Sequence, residues 1–270
     1  MTTYQPVALA SYFDQLGGAE WTRFERSIGD RVSLELHRET LERFVPRAFR
    51  VLDVGAGPGR FTEVLHHIGC RIVVADLSPK QLDENRLRAR EHGFASSVEG
   101  WHLLDICALG DFADASFDAV VAYGGPLSYV LDRRHQALGE CLRVLRPGGL
   151  FISSVMSLWG TMHRHLPAVL DLELAQNRAI IETGDLTPSN NPGTGHPCHL
   201  FRAAELATFL EGAGLTLVSL SASSALTTGV AADVACDAAT WSALLEFERM
   251  ACVEPGYLDS GTHLIAVCRR

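Results

Sequence analysis

The stretch VLDVGAGPGRF, residues 51–61, restricts the possible folds of this chain more than any other segment. Its apolar residues predict a short buried strand over 50–54, and apolar residues at helical spacing predict a helix over 61–68. The glycines between the two allow a sharp turn and let a ligand touch the main chain. The first N–H groups of the helix then present a partial positive charge, which favours an anionic ligand.

The spacing of these glycines separates two classes of ligand. A dinucleotide site has the pattern G-x-G-x-x-G, which would place a third glycine at position 60. This chain has Arg60 there, and its glycines are Gly55, Gly57 and Gly59, preceded by Asp53, which we include among the candidate cofactor-binding residues. We therefore expect this turn to face an anion that is smaller than a pyrophosphate.

Strands and helices alternate from 50 to 156, which predicts a mostly parallel sheet with helices on both faces. The predicted strands are 50–54, 71–76, 101–106, 117–123 and 150–156, and the predicted helices are 61–68, one that starts at Pro79 and carries the charged run 83–91, and 133–145. The predicted fold class is therefore a doubly wound α/β domain.

Further segments surround this core, which we place at 46–156 of a single domain spanning 1–270. Residues 1–45 are amphipathic and rich in aromatic side chains, which predicts an N-terminal helical flap. Residues 157–200 interrupt the alternation after the fifth strand and predict an inserted substrate lid with a helix over 162–182. Residues 201–270 complete the sheet, with a helix over 202–211, a strand over 215–220, a helix near 240–251 and a strand over 262–268.

Charge and cysteine content narrow the class of partner. The net charge of −9 and the pI of about 5.6 disfavour a nucleic-acid partner, because the surface would repel phosphates. Seven scattered cysteines without a C-x-x-C pair favour free thiols in a reducing compartment. No signal peptide is recognised at the N-terminus, and no apolar run approaches the roughly 18 residues of a membrane span. We expect a cytoplasmic protein, and its oligomeric state remains open.

Two acidic residues near strand ends indicate a nucleoside ligand. Asp76 ends the second predicted strand beside the glycine turn, where its carboxylate can accept hydrogen bonds from both hydroxyls of a ribose. Asp105 lies at the end of the third predicted strand and can accept from the exocyclic amine of an adenine, with Ile106 against the ring face. The alternative for each aspartate is an ordinary role at a helix start or in a loop.

The chain resembles the class I S-adenosylmethionine-dependent methyltransferases in five segments, which occur in the order and spacing of that family: VLDVGAGPGRF (51–61), VVADLSPKQL (73–82), LLDI (103–106), SFDAVVAYGGPLSYV (116–130) and ECLRVLRPGGLFI (140–152). The resemblance implies a seven-stranded sheet with an antiparallel last strand, and S-adenosylmethionine (SAM) as cofactor, with S-adenosylhomocysteine (SAH) as product. It also implies a set of cofactor contacts: Gly55, Ala56, Gly57 and Gly59 at the methionine part, Asp76 at the ribose, Leu77, Asp105 and Ile106 around the adenine, and Tyr123 near the methyl group.

The segment after the fourth strand favours a small organic acceptor. It reads AYGG, which lacks both the [DNS]-P-P-[FYW] motif of amino-group methylases and the carboxylate cluster of metal-dependent catechol-type enzymes. The Pro197–Cys198 pair lies in the inserted lid, away from the position of the cytosine C5 nucleophile. We therefore expect metal-independent transfer to an oxygen or nitrogen atom, of the kind found in secondary metabolism. The alternatives are a regulatory SAM-binding protein, a SAM-using cyclase and a NAD-dependent oxidoreductase.

Candidate catalytic residues come from the lid and from the fourth strand. The segment GHPCHLF contains His196 and His199, either of which could position the acceptor or remove its proton, although inert loop histidines are the simpler interpretation. Tyr123 is a candidate pocket residue. His163 and His165 in the lid and Tyr12 and Trp21 in the flap are weaker candidates. The spacing of His196, Cys198 and His199 does not match a metal site, and we expect none.

Overall fold

The computed structural model of the protein describes residues 3–230 and 236–270, so residues 1–2 of the predicted flap and residues 231–235 lie outside the described part. The N-terminal flap consists of helix α1 (Pro6–Leu16), two short 3-10 turns (Gly17–Glu20 and Arg23–Glu25) and helix α2 (Ile28–Phe44). The side chain of Ser27 accepts a hydrogen bond from the main-chain N–H of Asp30 and so fixes where α2 begins.

The core follows the predicted alternation, but two strands differ in their bounds: the third is shifted, and the fifth begins at Leu145 instead of at the predicted residue 150. Its elements are β1 (Arg50–Val54), α3 (Arg60–Ile68), β2 (Arg71–Asp76), α4 (Pro79–Glu91), β3 (Val98–Leu103), β4 (Phe117–Ala122), α5 (Pro126–Tyr129), α6 (Arg134–Val144) and β5 (Leu145–Met156). The prediction of 101–106 for β3 was wrong by three residues. Pairing with β2 runs from Ile72 opposite Val98 to Asp76 opposite Leu103, so β3 ends where β2 ends and Asp105 follows in a loop.

The lid does not form the single long helix that the sequence predicted. The elements after the core are α7 (Leu158–Arg164), α8 (Leu166–Leu170), α9 (Leu174–Thr183), β6 (Asp185–Leu186), β7 (Cys198–His199), α10 (Ala203–Gly212), β8 (Thr216–Ala222), α11 (Ala238–Ala251) and β9 (His263–Arg269). Pro167 occupies the first turn of α8, and a capping box between Glu173 and Gln176 starts α9. These signals divide the predicted helix over 162–182 into three helices.

Seven strands form one sheet in the order β3-β2-β1-β4-β5-β9-β8, and β6 pairs with β7 in a separate two-stranded sheet. Strands β1 to β5 run parallel to one another, whereas β9 runs antiparallel to both β5 and β8. The predicted fold class, a doubly wound and mostly parallel seven-stranded sheet with an antiparallel last strand, is therefore confirmed.

Each face of the sheet buries its own apolar core, because successive side chains along a strand point to opposite faces. Leu52 and Phe151 belong to the core on one face, and Val51 and Val121 belong to the core on the other. Within the described ranges, no helix combines the length and the apolar character needed to cross a membrane. The helices on both faces leave the carboxyl ends of β1 to β4 to meet beneath the flap.

Candidate cofactor and active site

A cleft lies beneath the flap at the carboxyl ends of β1 to β4, with about 860 Å³ of space including its opening to solvent. Eight of the residues predicted to bind a cofactor line this cleft: Gly55, Ala56, Gly57, Asp76, Leu77, Asp105, Ile106 and Tyr123. The other two, Asp53 and Gly59, lie outside its lining. Residues from four separate loops are thus brought together, as the sequence predicted.

The three glycines of the turn have different roles, although all three have positive φ angles. A Cβ atom on Gly55 would lie 2.5 Å from the ring of Pro126, and one on Gly59 would lie 2.9 Å from Nδ2 of Asn85. These two glycines therefore let neighbouring segments pack closely. A Cβ on Gly57 would meet only Oε1 of Gln81, at 3.8 Å, so Gly57 opens the turn toward the cleft.

Asp76 joins the glycine turn to the start of α4. Its carboxylate accepts hydrogen bonds from the main-chain N–H groups of Gly57 and Ser78, each at 2.8 Å. Burial raises the pKa of Asp76 to about 6, and the hydrogen bonds from these N–H groups partly offset that rise. Each carboxylate oxygen keeps a second lone pair for a ligand hydroxyl, so both tasks are compatible.

Asp53 supports the turn from below. It is buried, and its carboxylate accepts a hydrogen bond from the hydroxyl of Thr62 at 2.6 Å. Burial raises the pKa of Asp53 to about 7. Asn85 extends this network, because its Nδ2 donates to the hydroxyl of Thr62 and to the carbonyl of Gly57, each at 3.2 Å. The position of Asp53 therefore fits support of the turn.

Gln81, which the sequence did not single out as a site residue, presents an unused acceptor at the cleft. Its Nε2 donates to the carbonyls of Phe13 and Gly17 at 2.8 and 3.2 Å, which ties the flap to α4. Its Oε1 is buried and has no hydrogen-bond partner among the described residues. A buried acceptor without a partner is uncommon, so a donor on a ligand fits this position. The set of donors and acceptors suits a nucleoside with free hydroxyls.

The flap contributes six residues to the cleft: Tyr4, Leu9, Phe13, Glu20, Arg23 and Phe24. The sequence singled out Tyr12 and Trp21 instead, and neither lines the cleft. Trp21 packs beneath the guanidinium of Arg60, with 4.3 Å between that group and the ring centroid. The helical path is broken between residues 17 and 26, so the spacing there does not show that Arg23 and Phe24 face the cleft and Trp21 does not.

Tyr123 follows β4 and lines the cleft, and its ring packs perpendicular to that of His37, with 4.8 Å between the ring centroids. Burial raises the pKa of the Tyr123 hydroxyl, so the phenol is neutral near pH 7. The nearby hydroxyl of Thr40 in α2 offsets part of this rise in the pKa of Tyr123. The Tyr123 hydroxyl has no hydrogen-bond partner of ordinary geometry among the described residues. The ring, rather than an ionised oxygen, is what Tyr123 offers to the cleft.

His196 lies one layer behind the cleft wall. Its ring stacks on Tyr12 at 4.3 Å and meets the edge of Tyr129 at 4.8 Å, and Tyr129 lines the cleft. Both ring nitrogens are buried without partners in the described part of the chain, and burial lowers the pKa of His196 to about 4. The ring is therefore neutral, and its predicted catalytic role stays a prediction.

His199 lies in β7, outside the lining of the cleft. Its Nδ1 and Nε2 are each 2.7 Å from a carboxylate oxygen, of Asp185 and Glu205 respectively. Burial by itself would lower the pKa of His199, but the bonds to the two carboxylates outweigh burial and raise that pKa. With both nitrogens engaged, the ring has no lone pair for an acceptor's proton, and the geometry suits a link between the lid and α10.

Because His199 links the lid to α10, we expect the stability of the lid to depend on pH. A histidine whose pKa is raised by folding stabilises the fold at low pH, and this contribution is lost as the pH rises through the raised value. We expect His199→Gln to lower the free energy of unfolding by about 2 kcal/mol at pH 6. This value allows for solvent screening of the two partly exposed carboxylates. Hydrogen exchange of residues 185–199 between pH 6 and 9 would measure this. His67→Gln, on an exposed helix face, is the control, and equal pH profiles for the two variants would contradict the link.

The weaker lid candidates also lie outside the cleft lining. His163 in α7 approaches Gly229, where an added Cβ would lie 2.4 Å from its Nε2. Burial lowers the pKa of His165, with a further contribution from Arg164. Within residues 3–230 and 236–270, no group of three or more histidine, cysteine or acidic side chains is arranged to hold a metal ion.

Comparisons with known proteins agree with this geometry. A family model described as a methyltransferase domain matches residues 52–153. The ubiquinone biosynthesis O-methyltransferase of Xanthomonas axonopodis pv. citri is 32% identical over 66% of this chain and 67% of its own length. The corresponding protein of Cereibacter sphaeroides is 26% identical over 48% of this chain and 50% of its own length. The chain thus spans between half and two thirds of the curated relatives it matches.

A solved structure extends the likeness in fold to the whole chain. The Burkholderia thailandensis 1,6-didemethyltoxoflavin-N1-methyltransferase, solved with S-adenosylhomocysteine, has a TM-score of 0.60 and 18% identity over 100% of this chain and 92% of its own. At this identity the likeness concerns the fold alone. The ordered motifs, the family model and the relative at 32% identity together establish that the chain belongs to the class I S-adenosylmethionine-dependent methyltransferases.

Proposed function

We propose that the protein transfers a methyl group from SAM to an oxygen or nitrogen atom of a small organic acceptor, without a metal ion. The observation that carries this proposal is a single cleft lined both by the glycine turn with Asp76 and by aromatic side chains beyond it. The first set suits an adenosyl amino acid. The second set suits a dry, aligned site for displacement at a sulfonium-bound methyl group.

The cofactor-facing residues divide the binding task. Asp76 would hold the ribose hydroxyls, while Leu77 and Ile106 would enclose the adenine and Asp105 would accept from its amine. The open turn at Gly57 would let the amino-acid part pass along the main chain. When bound, SAM supplies an electrophilic methyl group. The protein's share is to orient it and to exclude water.

A hydroxyl is the acceptor group that we favour. The curated relatives are named as O-methyltransferases, which supports oxygen over nitrogen. His37, which packs against Tyr123, has Nδ1 2.7 Å from the carbonyl of Ser33. A carbonyl can only accept, so Nδ1 carries the proton and Nε2 is a neutral acceptor. Burial lowers the pKa of His37 to about 4, so the His37 ring stays uncharged near pH 7.

The setting of the protein is part of the same proposal. We propose a cytoplasmic, single-domain enzyme of secondary metabolism that does not act on nucleic acid, in keeping with its net charge of −9. The net negative charge and the position of the cleft beneath the flap both favour a small acceptor over a polymer.

Two measurements test this function. Titration calorimetry with SAM, SAH and NAD is expected to give binding of the first two only. Mass spectrometry should then detect SAM-dependent methylation in a panel of phenols, catechols and primary amines, with hydroxyl products predominating. Binding of NAD in place of SAM would overturn the proposal. Tight SAM binding without methylation of any panel member would favour a regulatory or cyclase role.

A further inference from the structure

Four packed rings border one side of the cleft, and one of them comes from the lid. The imidazole of His196 lies 4.3 Å from the ring of Tyr12 and 4.8 Å from the ring of Tyr129, measured between ring centroids. Phe13 completes the group, at 5.9 Å from His196. Separations of about this size are typical of packed aromatic rings. The imidazole therefore fills a slot whose walls are rings of α1 and α5.

An imidazole is a poor occupant of this slot. Both ring nitrogens of His196 are buried without a hydrogen-bond partner in the described part of the chain, and burial keeps the ring neutral by lowering its pKa to about 4. A neutral imidazole has one N–H donor and one acceptor nitrogen, so the slot leaves both uncompensated. Water would satisfy both if the ring left the slot. A flat ring without buried polar atoms suits the same walls better.

The slot adjoins the end of the cleft beside Tyr123. Phe13 and Tyr129 line the cleft as well as the slot, and their rings meet at 5.5 Å between centroids. A Cβ atom on Gly125 would lie 3.2 Å from the Tyr129 ring, so this ring rests on the turn that follows β4 and Tyr123. The contact between the rings of Phe13 and Tyr129 therefore separates the slot from the cleft.

The tip of the lid can release the imidazole while the base of the lid stays anchored. His196 follows a segment rich in turns, TPSNNPGTG at 187–195. The base of this loop is held separately, because β6 pairs with β7 and His199 is bonded to two carboxylates. Gly195, directly before His196, is exposed, so the loop has solvent on its outer side. The structure thus gives the imidazole a place to go.

We propose that this slot is the subsite for a planar aromatic part of the acceptor, and that His196 fills it until the acceptor displaces the imidazole. This inference rests on the proposed function and deepens it. The rings of Tyr12 and Phe13 suit a flat, uncharged group. Since only molecules with a vacated slot can bind such a group, the imidazole lowers the apparent affinity for it. An acceptor with a single ring would lie beside Tyr123 and leave His196 in place.

The test compares catechol with 2,3-dihydroxynaphthalene, which carries the same two hydroxyls on a ring fused to a second one. Calorimetric titration of each compound into full-length protein saturated with SAH measures the binding. We expect His196→Ala to strengthen binding of the naphthalene about 10-fold and His196→Phe to weaken it about 10-fold, because the first clears the slot and the second fills it with an apolar ring. Catechol binding should change less than about 3-fold in both variants.

Thr194→Val is the control for a loosened loop. It removes the hydrogen bond that the Thr194 hydroxyl donates to the carbonyl of His196 at 3.0 Å, but it leaves the imidazole intact. Its affinity for both compounds should match that of the wild type. A second measurement needs no variant. Diethyl pyrocarbonate should modify His196 of the wild type about 5-fold faster when dihydroxynaphthalene is bound, because the displaced ring is then open to water.

Failure of the slot is distinguishable from failure of the proposed function. Equal changes for catechol and the naphthalene in His196→Ala would mean that the second ring does not enter the slot. Unchanged or slower modification of His196 with the naphthalene bound would mean that the imidazole is not displaced. If SAH binds but neither compound binds to any variant, the slot does not take a planar aromatic group. If wild-type protein binds neither SAH nor SAM, the proposed function itself falls.

Discussion

Replacing Asp76 by alanine is expected to raise the dissociation constant of SAM by about two to four orders of magnitude, because two charge-assisted hydrogen bonds to the ribose are worth about 1.5–3 kcal/mol each. The structure adds a second reason for a large effect. The same carboxylate accepts from the N–H groups of Gly57 and Ser78, so its removal also loosens the turn that faces the ligand. Titration calorimetry with SAM and SAH measures the loss.

Asp76→Asn is the matched control for this prediction. It keeps the shape and one carbonyl oxygen but removes the charge, so its loss should be smaller than that of Asp76→Ala. Since burial raises the pKa of Asp76 to about 6, wild-type affinity should also fall as the pH drops below that value, and the asparagine variant should lack this dependence. Unchanged affinity in Asp76→Ala would rule out the ribose assignment.

Gly57→Leu is expected to abolish SAM binding, with a dissociation constant raised at least about 100-fold, while the protein still folds. The new side chain would have the open cleft in front of it, since the nearest atom to its Cβ is Oε1 of Gln81 at 3.8 Å. It would therefore occupy the path of the ligand instead of displacing protein atoms. The φ angle of +55° adds a conformational cost of about 1–2 kcal/mol. Calorimetry and circular dichroism together measure binding and fold.

Gly93→Leu separates these two effects. Gly93 also has a positive φ, of +82°, but an added Cβ there would meet no atom within 4 Å. Its substitution thus carries comparable backbone strain with no side chain in the cleft. We expect similar losses of thermal stability in both variants and loss of SAM binding only in Gly57→Leu. SAM binding retained by Gly57→Leu would contradict the assignment of the turn.

Periodic and local signals made most of the fold predictable. Apolar strands and amphipathic helices can each be recognised within a short stretch of sequence, so the order of the core elements was predictable. Strand β3 was displaced because Glu99 and Gly100 interrupt its apolar pattern, and pairing with β2 overrides that interruption. The lid was divided by Pro167 and by the capping box at Glu173, both of which are visible in the sequence.

The sequence predicted the site residues that directly follow strand ends. It did not predict those whose position depends on how the rest of the chain packs. Gly57 and Asp76 meet because parallel strands place their carboxyl ends at one edge of the sheet. Arg23 and Gln81 reach the same cleft from elements whose facing cannot be read from spacing. His199 illustrates a different case, in which the catalytic role stays a prediction. Its motif suggested chemistry, but its carboxylate partners lie 14 residues before and 6 residues after it in the chain.

The two hydrogen bonds by which Gln81 holds Phe13 and Gly17 have a kinetic consequence. They fasten the flap to the same helix whose first turn borders the ribose position, so we expect release of spent SAH to require that these two hydrogen bonds break. Loop openings of this kind take microseconds to milliseconds, and they often govern turnover in place of bond making. We therefore expect a burst of methylated product in the first cycle, followed by a slower steady rate set by departure of the used nucleoside.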